Sequence, residues 1–336
     1  MTPFFLKVTY CALSFIMLWF PPLVAGNSSS DTLVRIVGST AVFPFSALIS
    51  ERLSLLMDLQ GPIIERTGTG AGINLFCGGM GDDFPDAVNT SRPLSPSQVH
   101  TGIEHGVKDL LEVKIGYDGI VVAHAYVPQD TFSTLTLEDL FKALSQEVLI
   151  NGTWQKNPYT TWRDVNPSLP PLPLMIFGPP STSGIRDSLK DFVLSPFCET
   201  TNPTSCGLIR EDGVYIEMPE NSMLIVQKLE TNPDALGIIG YPFLDQNQDL
   251  LQGIAINSIP PTLSTILEGL YPLSRPLYFY VKLKNFQEKQ TLQLYLQEFM
   301  SEDVSGKDGA LVEKGLIPLK ENEKAQLLEK VKALTS

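Results

Sequence analysis

The segment LVRIVGSTAVFPFSALISERL, residues 33–53, combines a strand, a turn and a helix in one short stretch. Leu33–Val37 is apolar and β-branched, which is typical of a buried strand. Leu48, Ile49 and Leu53 recur at helical spacing, which predicts a helix after the turn. Gly38, Ser39 and Thr40 lie between the two elements. A strand that leads into a helix through small residues is the repeating unit of parallel α/β proteins.

The same order recurs along the chain. Further strands are predicted at 120–127, 172–177, 235–241 and 276–281. Helices are predicted from Ser183, from Asn221 to the stop at Asn232-Pro233, and at 290–300 and 322–334. Alternating strands and helices predict an α/β fold with mainly parallel, doubly wound sheets.

Composition and the N-terminus indicate the compartment. The chain has 336 residues and is 43% hydrophobic, which argues against disorder, and its net charge of −13 argues against a nucleic-acid partner. The apolar run Cys11–Phe20 follows Lys7 and precedes Ala25 and Gly26. This pattern predicts a signal peptide over 1–26 and a periplasmic, soluble protein; an uncleaved anchor is the alternative.

The cysteines and histidines give little support for a metal site. Cys198 and Cys206 bracket a short loop, and export favours a disulfide between them; two free thiols are the alternative. Cys77 follows Phe76 in an apolar segment and is expected to be buried. The three histidines are scattered without ligand spacing, so no metal is expected.

Four predicted turns into helices are rich in small and hydroxyl residues. They are Gly38–Ala41, Gly68–Gly72, Ser181–Gly184 and Glu220–Ser222. Helix N-termini expose unpaired N–H groups, so several that converge form an anion site without much positive charge. The alternative is that these residues are ordinary N-caps. The motifs of dinucleotide binding, nucleotide hydrolysis and α/β-hydrolases are missing from the sequence.

Taken together, these turns resemble the periplasmic phosphate-binding proteins of phosphate-specific ABC importers, the PstS family. The resemblance covers about Val34 to Leu319 and rests on these segments: VGSTAVFPFS (37–46), RTGTGAGINLFCGG (66–79), DAVNTSRPLS (86–95), IGYDGIVV (115–122), GPPSTSGIRD (178–187) and IGYPFL (239–244). It implies a two-lobe type II binding-protein fold with the ligand between the lobes. The implied lobes are 27–117 with 242–336, and 118–241, with hinges near Gly116–Gly119 and Gly240–Tyr241.

The resemblance also implies a set of phosphate-binding residues. Two hydroxyls come from the first two turns, and the third turn supplies one hydroxyl, backbone N–H groups and a guanidinium; the residues are Thr40, Ala41, Thr69, Ser183, Gly184, Ile185 and Arg186. Ile185 contributes only its backbone, because the hydroxyl of the usual Thr is missing. Arg186 would bind the anion with two N–H donors; the alternative is a surface arginine paired with Asp187.

Two positions depart from the family pattern. Ser91, followed by Arg92, replaces an aspartate that accepts the proton of hydrogen phosphate, and Pro179 replaces an arginine. We therefore expect Ser91, Arg92 and Asn221 to complete the site; Arg92 could instead hold its loop. Glu220 is the preferred proton acceptor and Asp118 the second choice, although Glu220 could be a solvated acid at a helix start.

The implied function is phosphate capture and delivery to permease subunits served by a cytoplasmic ATPase. The ligand is inorganic phosphate, no cofactor is required, and the protein is expected to be a monomer and not an enzyme. The alternatives are a binding protein for another oxyanion or a phosphonate, a phosphoester hydrolase, or a cell-surface adhesin.

Overall fold

A computed structural model describes residues 33–57, 60–126, 132–198, 203–219 and 221–335. The predicted signal peptide and Glu220 lie outside these ranges. The strands of the described residues are β1 Arg35–Gly38, β2 Ile63–Arg66, β3 Ala87–Thr90, β4 Leu110–Ala125, β5 Thr134–Leu135, β6 Glu147–Ile150, β7 Thr153–Lys156, β8 Ile176–Gly178, β9 Tyr215–Glu217, β10 Leu236–Gly240, β11 Leu251–Gly253, β12 Ala255–Ile256 and β13 Ser274–Lys282.

The α-helices alternate with these strands over most of the chain. They are α1 Phe43–Met57, α2 Thr69–Phe76, α3 Pro96–Glu104, α4 Leu137–Leu144, α5 Trp162–Val165, α6 Gly184–Leu189, α7 Ser222–Thr231, α8 Tyr241–Gln246, α9 Leu263–Leu267, α10 Leu283–Glu288, α11 Gln290–Phe299, α12 Glu302–Ser305 and α13 Glu321–Thr335. A π-helical turn, Lys190–Leu194, continues α6. In the part of the chain that the structure describes, no helix combines the length and apolar character needed to cross a bilayer.

The main sheet has the order β2-β1-β3-β13-β4-β10-β8-β9, and β11 also pairs with β4. Its two wings, β2-β1-β3 and β10-β8-β9, are parallel, as the alternating sequence predicts. The middle strands β13 and β4 are antiparallel to each other and to their neighbours. The sheet is therefore mixed: β4 and β13 lie between the two parallel wings and run antiparallel to their neighbours.

Strand β4 connects the two wings. Its first part pairs with β13 through Gly119, and its remainder pairs with β10 and β11. Gly116, within the predicted hinge, has φ 148°, and a Cβ there would lie 2.8 Å from the carbonyl oxygen of Ile317. A side chain at this position would push the chain away from Ile317, whose backbone bonds that of Tyr117 in both directions.

Two main apolar cores lie on the two wings. The first contains β1, β13, α1 and α11 side chains such as Ile36, Phe279 and Tyr295; a small cluster around Ile73 and Phe76 adjoins it. The second contains Val121, Trp162 and Ile239, and it also takes in the apolar side chains between Leu244 and Leu273. The lobe boundaries remain a prediction, and these contacts favour a return passage after Leu273 over the predicted one at Gly240–Tyr241.

Candidate functional site

The first wall of the site lies at the carboxyl ends of β1, β2 and β3. Gly38 has φ 128° and approaches β3 so closely that a Cβ would lie 2.1 Å from the carbonyl oxygen of Asn89. The Ser39 N–H donates to that same oxygen at 2.9 Å, and the Gly68 N–H donates to Gly38 at 2.9 Å. These contacts hold the turns before α1 and α2 side by side.

Two predicted hydroxyls meet on this wall. The Thr69 and Ser91 hydroxyl oxygens lie 3.0 Å apart, and the Ser91 N–H donates to the Thr69 hydroxyl at 3.3 Å. Ser91 is buried, whereas Thr69 is partly exposed. Each hydroxyl can both donate and accept, so the pair can adapt to a ligand oxygen that does or does not carry a proton.

The second wall is the turn that precedes α6. Ser183 caps this helix by accepting the Ile185 N–H at 3.3 Å. A Cβ on Gly184 would lie 3.6 Å from the Ala41 Cα and 3.4 Å from the Pro44 ring, so the two walls touch at this point. Asn221 caps α7, the alternative role that the sequence left open, and its side-chain oxygen accepts the Met223 N–H at 3.0 Å.

This contact separates two neighbouring cavities. The smaller cavity, about 420 Å³, is lined by Ser39, Thr40, Ala41, Gly68, Thr69, Gly70, Ser91, Arg92, Asp187, Lys190, Asp191 and Arg275. The larger cavity, about 660 Å³, includes Ser183, Gly184, Ile185 and Asn221 in its lining. Among the described residues, Ala41 alone lines both. The predicted site residues are thus gathered on two adjoining surfaces and do not surround a single point.

Arg186 does not reach either cavity. Its guanidinium is buried, stacks on the Tyr215 ring at 4.2 Å, and donates to the Pro179 carbonyl oxygen at 3.3 Å. Burial raises the pKa of Tyr215 to about 12, and its hydroxyl donates to the same Pro179 oxygen at 2.7 Å. Arg186 therefore stabilises the turn before α6 through its contacts with the Pro179 carbonyl oxygen and with the Tyr215 ring of β9.

Arg92 lies on the rim of the smaller cavity and holds its own loop. The guanidinium donates to the Pro93 carbonyl oxygen and to the Gln98 side chain, each at 3.1 Å. This is the structural role that the sequence left open as an alternative. Gln98 in turn completes a capping box with Ser95 at the start of α3.

Asp118 lines the larger cavity, but its carboxylate is paired within the protein. Its carboxylate accepts the Ser188 hydroxyl at 2.5 Å and faces the Arg275 guanidinium at 3.5 Å. Burial raises the pKa of Asp118, and the Arg275 charge opposes this shift. Arg275 also pairs with Asp191 at 3.0 Å. The carboxylate that was the second choice for a proton acceptor already has two partners.

Four cationic residues at the site were missed by the sequence reasoning. Lys190 and Arg275 line the smaller cavity, and Arg66 and Lys314 line the larger one. Arg66 ends β2, lies over the Phe43 ring at 5.0 Å, and pairs with Asp187 at 3.4 Å. Arg66 begins one of the resembling segments and could have been found there; Lys190 carries no sequence signal.

The cysteines pair as the sequence predicts. Cys198 and Cys206 form a disulfide with Cα atoms 5.8 Å apart, and Cys77 is a buried free thiol. Within the described ranges, no cluster of three or more His, Cys, Asp or Glu side chains could hold a metal ion.

Comparison with known proteins gives the family. A family model described as a PBP superfamily domain matches residues 24–303. The phosphate-binding protein PstS of Staphylococcus haemolyticus is 30% identical over 276 residues, covering 79% of this chain and 75% of that protein. The chain belongs to the PBP superfamily, in the family of the phosphate-binding protein PstS. This confirms the resemblance stated above.

Further relatives agree. Protein SphX of Synechococcus elongatus is 25% identical over 280 residues, covering 80% of this chain and 75% of that protein. The crystal structure of a possible phosphate binding protein from Planctomyces limnophilus superposes with a TM-score of 0.72 at 22% identity, covering 90% of this chain and 99% of that one. PstS from Borrelia burgdorferi gives a TM-score of 0.55 at 22% identity, covering 86% and 99%. These structures confirm the two-lobe binding-protein fold.

Proposed function

We propose that this protein captures inorganic phosphate between its two lobes and delivers it to an ABC importer. The observation that carries the proposal is the meeting of Thr69 and Ser91 at the carboxyl ends of β1–β3, beside the turn of Thr40 and Ala41. The PstS relatives are named as phosphate-binding proteins, and this chain matches them along most of its length.

The proposed seat of the anion is the smaller cavity, which presents hydroxyl and cationic groups together. Arg275 and Lys190 line the same cavity as Thr69 and Ser91 and supply positive charge there. Hydrogen bonds to charged groups contribute about 1.5–3 kcal/mol each. A few such bonds, reduced by the entropy cost of ordering the ligand and the protein, account for a binding free energy of about −8 kcal/mol, which corresponds to a micromolar Kd.

The proton of hydrogen phosphate needs an acceptor in this seat. Ser91 cannot carry the negative charge of the family aspartate, but the oxygens of the Ser91 and Thr69 hydroxyls can each accept a hydrogen bond donated by the P–OH group of the ligand. The predicted acceptor Glu220 stays a prediction, since it lies outside the described residues. Asp187 and Asp191 line the same cavity and are alternative acceptors.

The proposal includes the remaining parts of a transport cycle. Proteins of this family act in transport outside the cytoplasm. The segment 1–26 would direct export into the periplasm, and the monomeric protein would pass phosphate to membrane permease subunits coupled to a cytoplasmic ATPase. Capture and release require no chemical step, so no cofactor is needed.

Isothermal titration of the purified protein with phosphate between pH 5 and 9 tests the proposal. We expect 1:1 binding of phosphate in the micromolar range or tighter, with sulfate, molybdate and arsenate as competitors. An absence of heat and of a thermal shift with every one of these anions would contradict an oxyanion-binding function.

Ser91 also favours a second candidate, a binder of fully ionised oxyanions. A hydroxyl at position 91 does not repel sulfate, whereas a carboxylate at this position would. Sulfate binding at least as tight as phosphate binding at pH 8 would select this second candidate.

A further inference from the structure

Counting only the residues that the structure describes, two arginines line the smaller cavity, and they differ in what holds them. Arg92 lies at the rim, where its guanidinium is used by its own loop. Arg275 is the second residue of β13 and pairs in the sheet with Asp118 of β4, and its side chain is only 16% exposed. Arg186, which the resemblance implied, lines neither cavity. Arg275 is therefore the guanidinium that the fold places inside the proposed seat.

One side of the Arg275 guanidinium is fixed by buried groups. The Asp118 carboxylate lies 3.5 Å from its Nε atom, and Nη2 donates to the Ser188 hydroxyl at 3.2 Å. Ser188 in turn donates to Asp118, so the three side chains form a closed set of contacts. The guanidinium also lies over the Phe192 ring, with Cζ 4.7 Å from the ring centroid. Because Asp118 and Ser188 are buried, these contacts hold the guanidinium in one orientation.

The other side of the guanidinium meets a more exposed carboxylate. Its Nη1 atom donates to the Asp191 Oδ2 at 3.0 Å. Asp191 lies on the π-helical turn Lys190–Leu194, lines the same cavity, and has a side chain that is 54% exposed. Over the described part of the chain, its carboxylate forms no other hydrogen bond or ion pair. An ion pair with such an exposed partner contributes little to stability, so Asp191 can leave Arg275 at small cost.

Two carboxylates on one guanidinium leave a net negative charge where an anion has to bind. The buried Asp118 is held in place, because it would lose both Arg275 and Ser188 if it moved. Asp191, in contrast, can be replaced by a phosphate oxygen, since the guanidinium geometry suits phosphate and carboxylate alike. An exchange of one anion for another keeps Arg275 neutralised, which avoids a buried cation without a partner.

From this arrangement we infer that Arg275 binds the phosphate through its Nη1 edge and that Asp191 is an internal competitor, which the ligand displaces. The inference rests on the proposed phosphate function and names residues that set its affinity. Asp118 and Ser188 are then positioning residues, which orient the guanidinium without touching the anion. The two acids on Arg275 should have opposite effects on binding, and Asp187 is left as the cavity's acceptor for the phosphate proton.

The first test is isothermal titration of the full chain with inorganic phosphate at pH 7.5. Asp191→Asn removes the competitor and should lower the Kd by about threefold to fivefold, as expected for the loss of a weak ion pair. Asp234→Asn, an exposed acid in the turn before β10, is the matched control and should leave the Kd unchanged. An unchanged Kd in Asp191→Asn would overturn the inference, and a higher Kd would do so by making Asp191 the proton acceptor.

Arg275→Gln should raise the Kd for phosphate at least tenfold, because the anion loses a charged hydrogen bond. Arg163→Gln, at an exposed position, is the control. A double-mutant cycle then shows whether Asp191 acts through this guanidinium: Asp191→Asn should lose its gain once Arg275 is replaced. Equal gains with and without Arg275 would mean that Asp191 acts by general repulsion, which would overturn the inference.

Asp118→Asn tests the assigned positioning role. We expect the Kd to rise, because the guanidinium loses the contact that orients it. A fall in the Kd as large as that of Asp191→Asn would contradict this role, since any acid near Arg275 would then compete with the ligand.

Urea unfolding separates binding from folding in these variants. Asp191→Asn should tighten phosphate binding without raising the free energy of unfolding, whereas a purely structural ion pair would change stability and leave the Kd as it is. If Arg275→Gln does not fold, the exposed Asp191 variant decides. If the unaltered protein binds no oxyanion, the proposed function fails; if it binds phosphate and the Asp191 variant binds equally well, only the inference fails.

Discussion

At the scale of single residues, Ser91 determines which oxyanions the site can distinguish. Its hydroxyl is neutral and lies 3.0 Å from that of Thr69, so nothing at this position repels a fully ionised anion. We expect Ser91→Asp to weaken sulfate binding at least tenfold relative to phosphate, since a carboxylate accepts the phosphate proton but repels sulfate. Competition calorimetry at pH 7 measures the ratio.

The control for this substitution is Ser97→Asp. Ser97 lies six residues later, on α3, and its hydroxyl meets only that of Ser95 in the structure. The same change of charge outside the cavity should leave the phosphate-to-sulfate ratio unchanged. Equal phosphate-to-sulfate ratios in the two variants would show that Ser91 does not contact the anion.

Arg186 gives a prediction on stability. Its guanidinium stacks on Tyr215 and donates to the carbonyl oxygen of Pro179, and Arg186 itself lines neither cavity. Arg186→Ala should lower the free energy of unfolding by about 2–4 kcal/mol, from the lost charged hydrogen bond and cation–π contact. Urea unfolding measures this, with exposed Arg163→Ala as the control. If the Kd for phosphate rises more than tenfold in a stably folded Arg186→Ala protein, Arg186 contributes to phosphate binding and the structural assignment is wrong.

The direction of Arg186 could not be predicted from its local sequence. The turn around Ser183 makes the arginine the third residue of helix α6, but its partner Tyr215 lies on a strand 29 positions further on. Ser183 and Asn221, in contrast, cap their helices, which is the alternative that the sequence left open, because a cap depends only on N–H groups two or three residues away.

At the scale of elements, β13 carries a buried lysine that should make the free energy of unfolding depend on pH. Lys282, at the end of this strand, donates to the Gly79 carbonyl oxygen at 2.6 Å and lies over the Phe76 and Phe84 rings. Burial lowers the pKa of Lys282 from 10.5 to about 8 in the folded protein, while the Asp86 charge opposes the shift.

The sign of the resulting pH dependence follows from proton binding. Between pH 8 and about 10.5 the unfolded chain holds a proton that the folded protein has released. Stability from this group therefore rises with pH above 8, by up to about 1.4 kcal/mol per pH unit. Lys282→Met should lose this slope in urea unfolding between pH 7.5 and 9.5, whereas Lys284→Met, at an exposed position, should keep it. Identical slopes in all three proteins would contradict the lowered pKa.

Element boundaries were predictable where the local signals were clear. Helix α7 runs from Ser222 to Thr231, as its Asn221 cap and its Asn-Pro stop predict. Strand β8 begins at Ile176 instead of Leu172, since Pro171 and Pro173 cannot donate ladder hydrogen bonds. Strand β4 begins ten residues earlier than predicted, because its first part carries polar residues such as Glu112 and Lys114 and pairs with the distant β13.

At the scale of the whole molecule, the two lobes touch at several places around the site, and two of these contacts involve the predicted turns. Ala41 meets Gly184, and Arg66 of β2 pairs with Asp187 of α6 at 3.4 Å. The sequence predicted that the turns converge, but the division into two cavities depends on this contact between distant segments. Burial raises the pKa of Asp187, and the nearby charge of Arg66 opposes this shift.

If lobe contact accompanies ligand capture, the Arg66–Asp187 pair should contribute to affinity. A double-mutant cycle with Arg66→Gln and Asp187→Asn removes the direct effect of each charge on the anion and isolates their coupling. We expect a coupling of up to about 1 kcal/mol, or about fivefold in the Kd for phosphate, that shrinks in 0.5 M salt. The control cycle uses Lys142→Gln and Glu138→Gln, a pair at 2.7 Å within α4, and should give no coupling in phosphate binding. Zero coupling for Arg66–Asp187 at low salt would mean that this pair does not contribute to ligand capture.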